Sequence, residues 1–317
     1  MYDVIVLGSA TIDMFIDTSY KLFCKKDNAI ELPLGSKILV EDIKLYTGGG
    51  STNVSVALSR LGLKTASICK IGGDENSHII VKELKKEKVT PYIVRDKGKT
   101  GLAVILDAIG KDRTVLFYQG VNNKLRYSEI KKPWLKTKWF YFSSMVDESY
   151  KTLEKLSDYA KKNNIKILFN PSTYLAKKGY HFLKKVISNT EILILNREEA
   201  SLIADKKNVN EMLETIHNYG VKIVVITDGE NGNWAYDGYN SKHYRLEAGH
   251  PNVIETTGAG DAFASGFLAS IIKKNDIELG LKVGRANAES VIQYYGAKNI
   301  LLSWNKSIKN SNKFKVK

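Results

Sequence analysis

The sequence predicts an α/β fold in which helices flank a doubly wound, mostly parallel sheet, with a small β-sheet lid beside it. Two observations indicate this fold class. Short apolar runs alternate with amphipathic stretches along most of the 317 residues, and two longer segments interrupt the alternation without a helical period of their own. Short runs of this kind are typical of strands that are covered by helices on both faces.

The strands of the main sheet are predicted from six short apolar runs. In chain order they are VIVL (4–7), ASICKI (66–71), WFYF (139–142), KILF (166–169), ILIL (192–195) and KIVVIT (222–227). Helical patterns lie between them at 53–61, 78–88, 148–163, 210–219 and 258–272. Alternation of strands and helices in this order predicts mostly parallel pairing.

The lid is predicted from the two segments that break the alternation, at about 13–46 and 91–120. The second contains TGLAVILDAIGKDRTVLFYQG (100–120), two β-rich runs joined by residues 110–113, which predicts a hairpin. A small sheet made from both segments would cover the carboxyl ends of the main strands, where open sheets bind ligands. A structural edge or a homodimer-forming sheet is the alternative, and the two roles are compatible.

Length and composition predict one folded domain. The chain is close to the size at which single cores begin to divide, so we expect one large domain and no second one of comparable size. This domain comprises residues 1–303. Residues 304–317 are rich in Lys and Asn and are predicted to fray. No apolar stretch is long enough to span a bilayer and no secretion signal is found, so we expect a cytoplasmic protein without a membrane partner.

The charge balance bears on the partners. A formal net charge of +14 favours anionic ligands through long-range attraction. The lysines are nevertheless spread along amphipathic stretches, and neither an RNA-binding motif nor a zinc-finger spacing is found. A solvated basic surface is therefore favoured over a nucleic-acid partner.

The stretch IETTGAGDAFASGFLAS (254–270) combines a loop of small residues, one carboxylate and an uncharged helix. Its spacing fits neither a P-loop nor the dinucleotide fingerprint. Small residues let the first-turn amides of a helix face an anion, and Asp261 is the single ionisable group of a helix predicted to be buried. An amide cluster beside a carboxylate predicts phosphoryl transfer to a hydroxyl. A helix cap is the alternative role of Asp261.

This stretch and a second one resemble a known family. TTGAGDAFASGF (256–267) and TGGGSTNVSVALSRLG (47–62) are similar to the two signatures of ribokinase-like, or pfkB-type, carbohydrate kinases. Further matches follow in the family's order: GSATID (8–13), GVNNKL (120–125), NPS (170–172), LNREEA (195–200) and ITDGENG (226–232). The resemblance implies a ribokinase-like fold and a kinase that uses ATP and Mg²⁺ to phosphorylate a small sugar. A nucleoside kinase, or a sugar or nucleotide sensor without turnover, is the alternative.

The resemblance also implies roles for individual residues. The catalytic set consists of the base Asp261 and the anion-hole residues Gly258, Ala259 and Gly260. The substrate-binding set is Asp13, Gly49, Gly50 and Asn53. The nucleotide-binding set is Asn196, Thr227, Gly229, Gly232 and Asn287. Glu199 would organise Mg²⁺ through water, although Asn196 and Glu199 also have the spacing of a capping box.

Two departures from the family pattern limit what the resemblance implies. Glu255 stands where the family usually has Asp in a loop tied to a monovalent cation, so a requirement for such a cation stays open. Gly50 stands where ribokinases carry Lys, so the identity of the sugar stays open as well.

Overall fold

A computed structural model describes residues 1–17, 24–26, 29–31, 34–107, 113–247, 249, 251 and 253–317 of the protein. The strands in these ranges are β1 (Tyr2–Leu7), β2 (Thr11–Asp17), β3 (Cys24–Lys26), β4 (Ala29–Glu31), β5 (Asp42–Gly48), β6 (Thr65–Ile71), β7 (Thr90–Arg95), β8 (Gly101–Asp107), β9 (Arg113–Tyr118), β10 (Thr137–Ser143), β11 (Lys166–Asn170), β12 (Ile192–Asn196), β13 (Ile223–Thr227), β14 (Asn233–Asp237) and β15 (Lys242–Leu246). The α-helices are α1 (Gly50–Arg60), α2 (Glu75–Lys86), α3 (Asp147–Lys162), α4 (Thr173–Ala176), α5 (Gly179–Ile187), α6 (Arg197–Ala204), α7 (Val209–Asn218), α8 (Ala259–Lys274), α9 (Ile277–Val291) and α10 (Trp304–Ser311).

The central sheet confirms the predicted fold class. Its strand order is β15-β14-β13-β12-β11-β10-β1-β6-β7, and the pairs from β13 to β7 are parallel. Each predicted apolar run lies in one of these strands. In β1, Ile5 and Leu7 pack into one apolar layer while Val4 and Val6 pack into another. Both faces of the strand are therefore buried, which explains the absence of polar alternation.

A second, four-stranded sheet has the order β5-β2-β8-β9. Strand β2 pairs with β5 in antiparallel and with β8 in parallel orientation, so the two segments that break the alternation do join in one lid sheet. Strands β8 and β9 form the predicted hairpin. Residues 108–112, which include most of the predicted turn at 110–113, and residues 18–23, 27–28 and 32–33 of the first segment lie outside the described residues.

The predicted start of the second lid segment is wrong. Residues 91–95 belong to β7 at the edge of the central sheet, and the lid segment begins at Gly101. Strand β7 lacks a continuous apolar run because its outer positions are only half-buried. Pro91 is tolerated there because proline disrupts an edge strand less than a central one.

Helices α8 and α9 pack backbone to backbone. Ten successive residues of α8, from Ala262 to Ile271, are buried, as predicted from the uncharged sequence. A Cβ atom built on Gly266 would lie 2.8 Å from the Cα atom of Gly284, so a side chain at this crossing would force the helices apart. Within the described residues, no helix is both long and apolar enough to cross a membrane.

The C-terminal residues differ from the prediction that they fray. Trp304–Ser311 forms α10, in which Ser307 and Ser311 are buried. Beyond it, Val316 bridges to Leu246, and the backbone of Lys317 exchanges two hydrogen bonds with Arg245. The Lys and Asn side chains gave a polar composition, but the backbone of the tail extends the edge of the central sheet.

Replacing Gly266 with Ala tests the close helix crossing. The new methyl group would meet only backbone atoms, at 2.8–2.9 Å, so α8 and α9 must separate. We expect Gly266→Ala to lower the free energy of unfolding by about 1–3 kcal/mol in urea titrations. Gly73→Ala is the control, because its Cβ would make an ordinary 3.7 Å contact with Asp96. Equal stability of Gly266→Ala and the wild type would contradict the crossing geometry.

Candidate functional site

The N-termini of α1 and α8 meet near the carboxyl ends of the parallel strands. Asn53 of α1 donates a hydrogen bond from Nδ2 to Oδ2 of Asp261 in α8, at 2.9 Å. A Cβ atom on Gly50 would lie 1.8 Å from Oγ of Ser143, where β10 ends, and 3.9 Å from Oδ1 of Asp261. The fold therefore brings together predicted residues that are about 200 positions apart in the chain.

The Asp261 carboxyl group is only partly exposed, and its pKa is raised to about 6. Burial is the main cause, and the negative charge of Asp13 acts in the same direction. The hydrogen bond from Asn53 and the positive charge of Lys298 oppose this rise. A carboxylate with a pKa just below neutrality is ionised at pH 7 and is well matched to accept a proton.

The loop before α8 exposes backbone amides. Gly258 has φ of 80°, and a Cβ atom on it would lie 2.4 Å from Cβ of Ala297. The first intrahelical hydrogen bond runs from N of Ala262 to O of Gly258. The Ala259 amide donates to O of Thr256 at 3.2 Å. The amides of Gly260 and Asp261 are therefore better placed to receive an anion than that of Ala259.

The glycine turn between β5 and α1 lies against Asp13. Oγ1 of Thr11 donates to the buried Asp13 carboxylate at 2.8 Å, and burial raises the pKa of this carboxyl group. A Cβ atom on Gly48 would lie 1.9 Å from Asp13 Oδ2. Gly49 has φ of 89°, and its Cβ would lie 2.5 Å from O of Ser9. Packing inside the protein thus accounts for each glycine of the turn. At Gly50 the neighbour is Ser143, as described above.

A cavity of about 330 Å³ lies beside this turn. Its described lining contains no charged side chain and consists of Ser9, Phe117, Gln119, Asn122, Ser144, Met145, Val146, Ser172 and Tyr174. The amide of Asn122 bonds both N and O of Ala10, at 2.9 and 3.1 Å, and so fixes the wall next to Ser9. Sequence reasoning missed the apolar members of this lining, because nothing local distinguishes Phe117 in a strand or Tyr174 in a short helix.

A larger cavity, of about 600 Å³, opens on the N-terminus of α8. Ala259 and Gly260 line it, together with Asn196, Thr227 and Gly229 from the ends of β12 and β13. Five predicted residues thus share one cavity. Gly232 instead shapes the adjoining turn, with φ of 105° and its O atom bonded by N of Asp228 at 2.9 Å.

The structure places Asn287 inside the protein. It has no exposed surface, its Nδ2 donates to O of Ala262, and its Oδ1 accepts from N of Leu302. Asn287 therefore joins α9 to α8 and does not reach the cavity, which corrects the prediction that it binds nucleotide. The sequence gave no sign of burial, because a polar residue in a helix is usually exposed.

Arg285 and Glu289 line the larger cavity and were not predicted. Arg285 Nε donates to Glu289 Oε1 at 2.7 Å, and its Nη1 and Nη2 donate to O of Gly229 and of Gly249 at 3.1 Å. Both side chains are more than nine-tenths buried. Their spacing of four residues on α9 is the one signal that could have shown the pair.

Asn196 and Glu199 form a capping box at the start of α6. Asn196 Oδ1 accepts from the Glu199 amide at 2.8 Å, and Glu199 Oε2 accepts from the Asn196 amide at 2.9 Å. Thr173 Oγ1 donates to Glu199 Oε1 at 3.1 Å, and burial raises the pKa of this carboxyl group. No cluster of three metal-ligating side chains exists among the described residues. This donor set fits Mg²⁺ held mainly by phosphates and water rather than by the protein.

Glu255 stabilises the loop that leads to α8. Its Oε1 accepts from the Thr257 amide at 2.7 Å and from Thr257 Oγ1 at 2.6 Å. Its own amide donates to O of Ile292 at 3.1 Å, so the loop is tied to the end of α9.

Nearly the whole chain matches one known family. A family model described as pfkB family carbohydrate kinase matches residues 1–304. A protein of Archaeoglobus fulgidus, named an uncharacterized sugar kinase, is 30% identical over 259 residues, which are 77% of this chain and 97% of that protein. A cytidine kinase of Thermococcus kodakarensis is 28% identical over 306 residues, which are 93% of this chain and 98% of the relative.

The fold is similar to that of a solved kinase. The structure of Arabidopsis thaliana ribokinase complexed with ribose and ATP matches with a TM-score of 0.81 at 18% sequence identity, covering 98% of each chain. The ribokinase-like fold implied by the sequence motifs is thereby confirmed.

The bond between Asn53 and Asp261 makes a measurable prediction. Asn53→Ala removes a donor that favours the charged form, so the pKa of Asp261 should rise from about 6. We expect a rise of about 0.5 to 1 pH unit in a ¹³C NMR titration of the Asp261 carboxyl carbon. Asn189→Ala, whose amide bonds Ser157 at 3.3 Å, is the control and should leave the titration unchanged. An unchanged titration in Asn53→Ala would contradict the geometry.

Proposed function

Because the chain belongs to the pfkB family of carbohydrate kinases, we propose that it transfers the γ-phosphoryl group of ATP to a hydroxyl of a small, uncharged sugar, with Asp261 as base. One observation carries the proposal. Asp261 follows Gly260, which lines the larger cavity, and its Oδ1 lies near Gly50. Gly50 packs against Ser143, which directly precedes Ser144 in the lining of the smaller cavity. A carboxylate at this position can serve an acceptor on one side and a phosphate on the other.

The proposed chemistry needs few steps. Asp13 and Asn53 orient the acceptor hydroxyl, whose oxygen bonds to the γ-phosphorus as the bond from that phosphorus to the β,γ-bridging oxygen breaks. Asp261 accepts the hydroxyl proton late in this step, and ADP is the leaving group. The amides of Gly260 and Asp261 stabilise charge on the transferring group, since they face it without a side chain between. A sensor without turnover has no need of this carboxylate.

The larger cavity is the proposed nucleotide site. Asn196 and Thr227 end neighbouring strands on its wall, Gly229 lies in the turn after β13, and the Arg285–Glu289 pair closes another side. When bound, Mg²⁺ would neutralise phosphate charge, and Glu199 would hold one of its waters. Because the proposed donor is ATP, we propose that the reaction takes place in the cytoplasm.

The smaller cavity favours an uncharged acceptor. A sugar acid or sugar phosphate would bring an anion against a described lining that supplies no cation, and burying an unpaired charge is costly. The hydroxyl and amide groups of Ser9, Gln119 and Ser144 can bond sugar hydroxyls. Phe117 and Tyr174 also offer aromatic faces, and this observation favours a nucleoside as the second candidate. One relative of this chain is named a cytidine kinase.

We also propose that a second copy of this chain covers the outer face of the lid. Leu45, Met14, Val104 and Leu116 form one cross-strand row on that face. Leu45 and Leu116, at its ends, are 56% and 58% exposed. A contiguous apolar row on a sheet is a common interface between identical subunits.

An assay of ADP release tests the kinase function. The panel comprises neutral sugars, inositol, nucleosides, sugar acids and sugar phosphates, each with Mg²⁺ and ATP, and we expect turnover with a neutral sugar or a nucleoside. Asp261→Asn should then lower kcat by about 10² to 10⁴ and leave ATP binding intact in calorimetry. Asp158→Asn, which removes a surface carboxylate paired with Lys185, is the control.

Two outcomes would contradict this proposal. Near-normal turnover by folded Asp261→Asn would refute its role as base. If sugar acids or sugar phosphates were the only compounds of the panel to be turned over, the proposal of an uncharged acceptor would be refuted.

Leu116→Glu tests the homodimer. A carboxylate in the apolar row should be buried without a partner on dimerisation, so sedimentation velocity should show dimers for the wild type and monomers for the variant. Leu202→Glu, at an exposed site on α6, should remain dimeric. A wild type that sediments as a monomer at high concentration would contradict the proposed interface.

A further inference from the structure

Lys298 is a buried lysine at the base of the glycine turn. It lies in the segment between α9 and α10, and only 6% of the residue is exposed. Its Nζ donates to O of Thr47 at 2.6 Å, to Oγ1 of Thr47 at 2.7 Å and to Oγ1 of Thr52 at 3.1 Å. Glu83 of α2 pairs with the same ammonium group at 3.1 Å. The cation is thus held by two segments that are distant from it in sequence, residues 47–52 and Glu83 of α2.

The contacts of Lys298 lie on both sides of the turn. Thr47 comes directly before Gly48, and Thr52 lies in the first turn of α1. Thr52 Oγ1 also donates to O of Gly48 at 2.7 Å, so one bonded group joins the ammonium to the turn backbone. Arg60, near the end of α1, donates to the backbone O of Lys298 at 2.7 Å. Lys298 is therefore fixed to the helix that carries Asn53.

Helix stability alone does not explain a cation in this place. The N-terminus of a helix carries a partial positive charge, which disfavours an ammonium group beside it. Burial also disfavours the charged form and lowers the pKa of Lys298, while the carboxylates of Glu83, Asp13 and Asp261 favour it. Two of these three carboxylates belong to the candidate site.

We propose that Lys298 is a positioning residue for the phosphoryl transfer: its ammonium group holds the Gly48–Gly50 turn in shape and places a positive charge behind the Asp13 and Asp261 carboxylates. This inference rests on the proposed function, and it assigns a role to a residue outside the two family signatures. Lys298 does not take or give a proton in the reaction. It acts through the turn and through the charge that it holds near Asp261.

The surroundings of Asp261 define the expected effect. The groups that shift the pKa of its carboxyl are Asp13 of β2, Lys298, and Asn53 of α1. The charge of Asp261 in turn raises the pKa of Tyr141 in β10. Asp13 raises the pKa of Asp261, whereas Lys298 lowers it. Removing Lys298 should therefore raise the pKa of Asp261 from about 6 towards 7, by about one pH unit. Asp261 would then ionise only in more alkaline solution.

The test measures the Asp261 carboxyl carbon by ¹³C NMR in the ligand-free protein, and then the pH dependence of turnover. Lys298→Met should move the titration up by about one pH unit. Turnover should fall about fivefold at pH 6 and recover above pH 8, because the fraction of ionised Asp261 sets the rate. The KM for the acceptor should rise several-fold as the turn loosens, while the KM for ATP should stay unchanged.

Lys70→Met is the matched control. Lys70 is 3% exposed and pairs with Glu129 and Asp96, at 2.8 and 3.0 Å, so its removal costs a comparable buried ion pair. It should lower stability and leave the Asp261 titration unchanged. A double variant, Lys298→Met with Glu83→Gln, removes the cation and its neighbouring carboxylate together, and it covers the case in which the single variant fails to fold.

The outcomes separate the two proposals. If no acceptor is turned over by the wild type, the proposed function fails, and the NMR titration still decides the role of Lys298. If the only role of Lys298 is to neutralise Glu83, the Asp261 carboxyl group of the double variant should titrate as it does in the wild type. That result would overturn the inference. An Asp261 titration that stays displaced in the double variant supports it, and one unchanged in folded Lys298→Met overturns it.

Discussion

The candidate site depends on two helix N-termini that face the same small volume. The positive ends of α1 and α8 attract negative charge, and the Asn53–Asp261 hydrogen bond of 2.9 Å joins them there. Asp13 and Asp261 are both held in this region, and the charge of Asp13 raises the pKa of Asp261. Buried carboxylates that repel each other need compensation. The helix ends and the ammonium group of Lys298 supply it, so the site keeps carboxylates charged while attracting an anion.

Packing, more than ligand approach, accounts for the glycines of the first loop. The family resemblance implied that Gly49 and Gly50 bind substrate, which would account for glycine at these positions by the close approach of a ligand. The structure shows a nearer cause: Gly48 makes room for Asp13, Gly49 has a positive φ, and Gly50 makes room for Ser143. The turn is shaped by the protein itself. A backbone shaped in this way is already positioned when an acceptor arrives, which lowers the cost of ordering it.

Local patterns explain what the sequence could predict. The central strands are apolar on both faces, and the Asn196–Glu199 capping box is set by a spacing of three residues within one helix turn. Strand β7 was missed because an edge strand lacks a continuous apolar run. The C-terminal residues were misjudged because α10 packs against α9, and Val316 beyond it bridges to Leu246 of β15. Asn287 and Lys298 were misjudged or overlooked for the same reason. Each is a polar residue whose burial results from segments far away in the chain, and no local pattern records such contacts.

Gly260 differs from the other glycines of the site, and the difference bears on function. A Cβ atom built on it would meet no atom within 4 Å, and its φ lies outside the region that requires glycine. Gly258, two residues earlier, has a positive φ, and a Cβ atom on it would lie close to Ala297, so its identity follows from the fold. Neither reason applies to Gly260, which lines the larger cavity at the N-terminus of α8. The space that an alanine methyl would occupy is therefore left for something that enters the cavity, and an anion bound by the first-turn amides of α8 is what that geometry suits.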